Sequence, residues 1–211
     1  DHPLDVRLAQ GGAGHADALR LKVFNHAGAL PLSRVVPALE NFGFTVVEEV
    51  PTVLGNGSAG HLHDFLLTLA PGAASPLQDA ARVPVIERAI AAVLAGDAEN
   101  DAINQLVITA ALDPVALVWL RAWYRYLRQT GMSYSLITYV QALRGAREVT
   151  RALILLFDRL HRPGVAASDE AEVRTAIAAG LDDVAAIDED RILRLLLAVI
   201  DATLRTNAFA P

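Results

Sequence analysis

Apolar residues alternate along parts of the first half of this chain and recur about every 3.6 residues through the second, so no single regular architecture accommodates both halves. Leu19-Arg-Leu-Lys-Val-Phe24 alternates apolar and basic residues, as a half-buried strand does. A turn follows at Asn25–Leu30. Leu32, Val35, Val36, Leu39 and Phe42 then fall on one helical face. Ser33 is placed to cap that helix, which puts Pro37 near the first turn, where a missing N–H matters least. Gly43 is placed to end it in a left-handed conformation. Two more strands are expected, Phe44–Val50 and Leu62–Leu69, the second with His63, Phe65, Leu67 and Leu69 on one face. A helix over about Ala80 to Ala95 completes most of a βαββαβ unit.

The fourth strand stays unassigned. Leu106-Val-Ile-Thr109 has β-branched composition, but its neighbours fit a helix, which is the reading preferred; Val6–Ala9 offers a strand from the other end. From about Asp97 onward the stripes are helical: Leu117, Leu120, Tyr124, Leu127; Leu153, Leu156, Phe157, Leu160; Val173, Ile177, Leu181, Val184; and Ile192 through Ile200 to Leu204. Pro114, Gly131, Gly145, Pro163 and Gly164 punctuate them, and no repeat of solenoid period is present. The expected fold is therefore α+β. A linker over 1–15, containing Gly11, Gly12 and Gly14, precedes a ferredoxin-like module over 16–96 and an all-helical segment over 97–211.

Bulk properties narrow the function classes. Hydrophobic residues at 53% against 20% charged supply a packed core. Apolar runs such as Ile192–Ile200 fall far short of the roughly 20 residues that span a bilayer, and no basic stretch leads into an apolar one at the start. The chain has no cysteine, which removes disulfides, thiolate nucleophiles and zinc–sulfur sites; a cytoplasmic location is expected. A net charge of −6 argues against general nucleic-acid binding. The run from Arg121 to Arg162 is locally basic, with Glu148 and Asp158 its only acids, and reads as a helical surface that pairs with acidic neighbours elsewhere in the molecule, a nucleic-acid patch being the alternative.

Chemical motifs weaken on inspection. Gly55, Gly57 and Gly60 satisfy G-x-G-x-x-G, but they lead into a strand, whereas a dinucleotide site needs a helix N-terminus there. His61 and His63 share one strand face and Asp64 takes the other, so no metal site is expected. Asp97, Glu99 and Asp101, like Asp188, Glu189 and Asp190, read as helix-start acids. Lys22, the only lysine, lies on an alternating strand and reads as solvated. No catalytic residue is expected in the chain.

Four stretches together resemble the large bacterial NAD-dependent glutamate dehydrogenases. They are Leu19–Phe24 through Leu30-Pro-Leu-Ser and Pro37–Gly43 to His63-Asp-Phe65; Gly96–Asn104; Leu120–Gln129; and Leu181–Arg194 with Leu204-Arg-Thr-Asn207. Ala102-Ile103 departs from that family's pattern, which tends to Gly-Phe. The resemblance implies an ACT-like module and helical segment ahead of a catalytic core, with both chain ends, Asp1 and Pro211, as cuts through a longer protein. It also implies a parent reaction converting L-glutamate to 2-oxoglutarate and ammonia with NAD. The catalytic residues and the cofactor would then lie outside the chain, and the partners would be the core of the same polypeptide and further copies in a homo-oligomer. ACT modules bind amino acids at the first strand-to-helix turn. Here that turn reads Asn25-His-Ala-Gly-Ala-Leu30, so Asn25, Gly28 and Leu30 are the implied effector-binding residues.

Overall fold

The structure, a computed structural model, describes residues 4–12, 18–70, 73–164 and 170–210; Gly14 of the expected linker lies outside them. The chain divides into two compact units, 1–114 and 115–211.

The first unit is built on four strands, β1 (Leu4–Gln10), β2 (Leu19–Asn25), β3 (Phe44–Leu54) and β4 (Gly60–Leu69), in the order β1-β2-β4-β3 with every neighbour antiparallel. Helix α1 (Leu32–Asn41) packs by β3 and α2 (Val83–Ala95) by β1. The sequence forms this sheet because alternate residues are apolar on the side that becomes buried. Leu4, Val6 and Leu8 of β1, Leu19, Leu21 and Val23 of β2, and Phe65 and Leu67 of β4 are buried. Helix residues Val35, Ala38, Leu39, Ile86, Ala89 and Ile90 are buried with them.

The open question of the fourth strand is answered by the N-terminal residues. Val6–Ala9 lies in β1, and the sheet is the ferredoxin-like one with its last strand moved to the front of the unit. Leu106–Thr109 forms a single helical turn, α3. Several local expectations are corrected. Helix α1 begins at Leu32, because the carbonyl of Pro31 accepts from Arg34 N at 2.9 Å and Val35 N at 3.2 Å. Ser33 therefore lies inside the helix and is not its cap, and Pro37 sits beyond the first turn. Gly43 does end the helix, with φ +90°. Strand β3 continues to Leu54, through a bulge between Val46 and Glu48 and through Pro51, which an edge strand tolerates. Helix α2 starts at Val83, not Ala80.

The second unit is helical: α4 (Pro114–Gln129), α5 (Leu136–Gly145), α6 (Arg147–His161), α7 (Glu170–Asp182) and α8 (Ile187–Ala202). Helix α6 packs on α7 and α8, and α5 packs on α8. The contact of α6 with α7 is close at Gly180, where a Cβ would stand 2.5 Å from Val149 Cγ2. Trp119, Trp123 and Phe157 form an aromatic cluster, with ring centroids 4.9 and 5.0 Å from Phe157, and Phe209 adds a fourth ring 5.4 Å from Trp119. Buried Tyr139 donates its hydroxyl to Leu120 O at 3.1 Å, and burial pushes that hydroxyl well above the usual tyrosine range. The last expected stripe stops short. Leu204 lies past the end of α8 and is 91% exposed.

Candidate functional site

Strand β2 ends at Asn25, and the chain reverses before α1 begins at Leu32. Asn25 is buried, and its side chain organises the reversal. Its Nδ2 donates to Gly28 O at 2.7 Å, while its Oδ1 accepts from Ala27 N at 3.1 Å. An Asx side chain closing a turn on its own backbone in this way explains why asparagine stands there. Gly28 takes φ +127°, which side-chain-bearing residues rarely adopt, although nothing lies within 4 Å of where its Cβ would be. Glycine is required here by conformation, not by space. Gly60, opposite, is required by space: its Cβ would fall 2.7 Å from Asn25 O.

The third expected residue, Leu30, enters through its backbone. Leu30 N donates to His63 Nε2 at 3.1 Å, and His63 Nδ1 lies 2.8 Å from Glu49 Oε1. An amide can only donate, so Nε2 must carry the lone pair. The proton of the neutral ring is then on Nδ1 and is donated to Glu49. His63 is 3% exposed, with Phe65 stacked at 6.2 Å and 13°. The structure thus brings Asn25, Gly28 and Leu30 together in one turn and ties that turn through β4 to β3.

His63 and Glu49 are the residues that sequence reasoning did not attach to this turn. The register supplies them: Asn25 faces His61, Val23 faces His63, and Glu49 faces Phe65. No pattern within a single strand announces those pairings.

The remaining motifs resolve individually. Gly55–Gly57 forms a tight turn between antiparallel β3 and β4, with no helix following it, so the glycine pattern lacks a dinucleotide site's geometry. Asp64 lies across the sheet from His63 and accepts from Arg20 Nη1 at 3.2 Å. Among the described residues, no group of three or more His, Asp and Glu side chains is arranged to hold a metal ion. Lys22 is exposed, in register with Arg7 and Asp64. Asp101 accepts from Ile103 N at 3.0 Å and so caps the 3-10 turn over Ala102–Gln105. Asp188, Glu189 and Asp190 occupy the first turn of α8. In the basic run, Arg147 and Arg151 pair with Glu148, and Arg162 with Asp158, acids of the run itself where neighbours elsewhere in the molecule were expected. Among the described residues no helix is long and apolar enough to cross a membrane.

Comparison with known proteins covers most of the chain in three successive pieces. Residues 3–80 match the family described as glutamate dehydrogenase, ACT3 domain. Residues 98–163 match glutamate dehydrogenase, helical motif 3, and residues 176–211 match the bacterial NAD-glutamate dehydrogenase, catalytic domain. The NAD-specific glutamate dehydrogenase of Pseudomonas aeruginosa is 36% identical over 217 residues, covering 99% of this chain and 13% of that protein. That of Halomonas elongata is 36% identical over 212 residues, covering 98% and 13%. That of Mycobacterium tuberculosis is 34% identical over 188 residues, covering 84% and 12%. The chain therefore spans only about an eighth of the length of the relatives it matches.

Proposed function

The chain belongs to the large bacterial NAD-specific glutamate dehydrogenases, and from that premise we propose that it is a non-catalytic scaffold which positions the enzyme's catalytic core. One observation carries this reading: helix α6, inside the helical-motif match, packs against α7 and α8, and the catalytic-domain match begins within α7 and takes in α8. The helical motif and the first part of the catalytic match thus share one apolar core, built from buried Val149, Leu153 and Phe157 on one side and buried Ile177, Leu181 and Ile192 on the other. A core shared in this way transmits position, because close-packed side chains do not slide freely past one another.

On this reading residues 1–15 carry the first strand of the sheet, 16–96 form the rest of the ACT-like module, and 97–211 form the helical segment, whose last part, 176–211, matches the catalytic domain. The whole enzyme would act in the cytoplasm as a homo-oligomer, using NAD bound elsewhere in the polypeptide to oxidise L-glutamate to 2-oxoglutarate and ammonia. The test is made in the full-length enzyme. Leu153→Ala and Ile177→Ala each remove buried apolar volume from the shared core. The expected result is a lower kcat for glutamate oxidation with the assembly retained. Unchanged kcat and KM in both variants, with the core demonstrably loosened, would refute the positioning role.

The convergence of Asn25, Gly28 and Leu30 on one turn favours a second reading, an allosteric site for an amino acid. It is tested by thermal unfolding with an amino-acid panel, since a ligand at a hundred times its Kd stabilises by about 2.7 kcal/mol. A shift that Gly28→Val abolishes would support it; no shift in the full-length enzyme would end it.

A further inference from the structure

We propose that His63 and Glu49 form a proton-operated latch that holds the β2–α1 turn closed while the imidazole is neutral and frees it when the ring takes a second proton. The inference rests on geometry and does not require the turn to bind any ligand. In the neutral ring both nitrogens are used: Nε2 accepts from Leu30 N at 3.1 Å and Nδ1–H donates to Glu49 at 2.8 Å. A second proton can only go to Nε2, where it meets the Leu30 N–H head-on, donor against donor. The bond to Glu49 survives and gains charge, so the contact that gives way is the one to the turn. Burial enforces the choice, because a ring that is 3% exposed has no water with which to replace the amide.

The neighbouring elements offer the ring little other charge. Glu49 on β3 is the carboxylate bonded to it, and His61 stands two residues away on the same face of β4. Asp64 and Lys22 occupy the opposite face, with Asp64 paired to Arg20. His26 in the turn is exposed and stacks edge-on with Phe24. On the helices, Arg34 and Glu40 of α1 and Arg88 of α2 are exposed, and Glu87 of α2 accepts from Leu8 N. Among the described partners, the turn has His63 as its acceptor for Leu30 and Asn25 as its internal tie.

The experiment is residue-resolved amide exchange on this 211-residue chain across the titration of His63, whose ring nitrogens are followed by 15N NMR. The expected result in the unaltered chain is an Nδ1–H tautomer at high pH and a roughly tenfold loss of Leu30 amide protection as the second proton binds. The central-strand amides of Leu21 and Phe65 should stay protected over the same range. His63→Gln keeps an acceptor near the Nε2 position but cannot titrate, so its Leu30 protection should be independent of pH. An Nε2–H tautomer, a Leu30 amide indifferent to the ring's titration, or the same pH step in His63→Gln would each overturn the latch. So would joint loss of Leu21 and Phe65 protection, since release would then be unfolding.

Discussion

Gly180 is where the packing of α6 on α7 is most exacting, and its replacement by alanine gives a prediction whose sign depends on one neighbour. Taken alone, a glycine-to-alanine change inside a helix stabilises it by up to about 1 kcal/mol, an upper bound for Gly180 in the last turn of α7. Here the new Cβ would lie 2.5 Å from Val149 Cγ2 and 3.9 Å from Val149 Cβ. Carbon atoms attract best at about 3.5–4.0 Å, so one methyl is roughly 1 Å too close. Val149 cannot easily swing aside. It is buried, and valine in a helix is held to one dominant rotamer. Relief must come from spreading α6 and α7, and overpacking of this kind costs about 1–3 kcal/mol. The net expectation for Gly180→Ala is thus a loss of about 0–3 kcal/mol. In a Val149→Ala background the clashing methyl is gone, and the same change should stabilise by up to about 1 kcal/mol.

The assay is urea unfolding followed by tryptophan fluorescence. Trp119 and Trp123 are the chain's two tryptophans and both lie in the helical unit, so the signal reports that unit. Comparing midpoints at constant m separates stability from changes in exposed surface. A coupling of about 1–3 kcal/mol between positions 149 and 180 is expected. If Gly180→Ala had the same effect in both backgrounds within about 0.5 kcal/mol, the two positions would be independent and the steric account wrong.

Three further outcomes follow from single contacts. Phe209→Ala removes ring contacts to Trp119 and Phe157, so the helical unit should lose about 1–2 kcal/mol and the tryptophan emission of the native state should change. Glu87→Ala leaves Leu8 N without its 2.8 Å acceptor on an edge strand; a loss of about 1–3 kcal/mol is expected, with new self-association visible by sedimentation velocity. His161 has its pKa lowered by burial, and its Nε2 has no partner. The folded unit therefore binds that proton less readily than the unfolded chain. Stability should fall as pH drops below the ordinary histidine range, and His161→Leu should flatten that part of the pH–stability curve; an unchanged curve would remove His161 as its cause.

The fold was legible wherever one strand or one helix face carried its own evidence. Leu19–Phe24 alternates, and Leu62–Leu69 carries His63, Phe65, Leu67 and Leu69 on one face although Leu66 is buried too. Helices α6 and α8 bury most of the residues their periodicity marks, Leu160 and Leu197 being half-buried and Leu204 exposed. Legibility failed where structure depends on pairing or on short elements. Strand β1 is seven residues long and sits beyond a glycine-rich stretch, so its Leu4-Val6-Leu8 alternation acquires meaning only when it hydrogen-bonds to β2. Helix α5 does carry a spacing of three and four in Leu136, Tyr139, Val140 and Leu143, but Thr138 and Gln141 interrupt it over only ten residues. Its surest signal was Ser135, whose side chain accepts from Thr138 N at 3.1 Å.

The turn shows why residues can be singled out in a sequence while their bonding partners stay hidden. Asn25 and Gly28 came into view through the family resemblance, and the structure shows the local work of each, the one closing a turn with its side chain and the other taking φ +127°. Leu30 takes part through a backbone amide, and an amide has no signature in residue type. His63 and Glu49 are 14 residues apart and belong to different strands. What brings them together is the one-residue shift at the Val46/Glu48 bulge. Without that bulge, period-two alternation would turn the Glu49 side chain to the opposite face of β3, away from the buried ring. A histidine flanked by another histidine and an aspartate then looks like a metal ligand, when its bonds run to a carboxylate and an amide. The distinction lies in register, and register is a property of two strands.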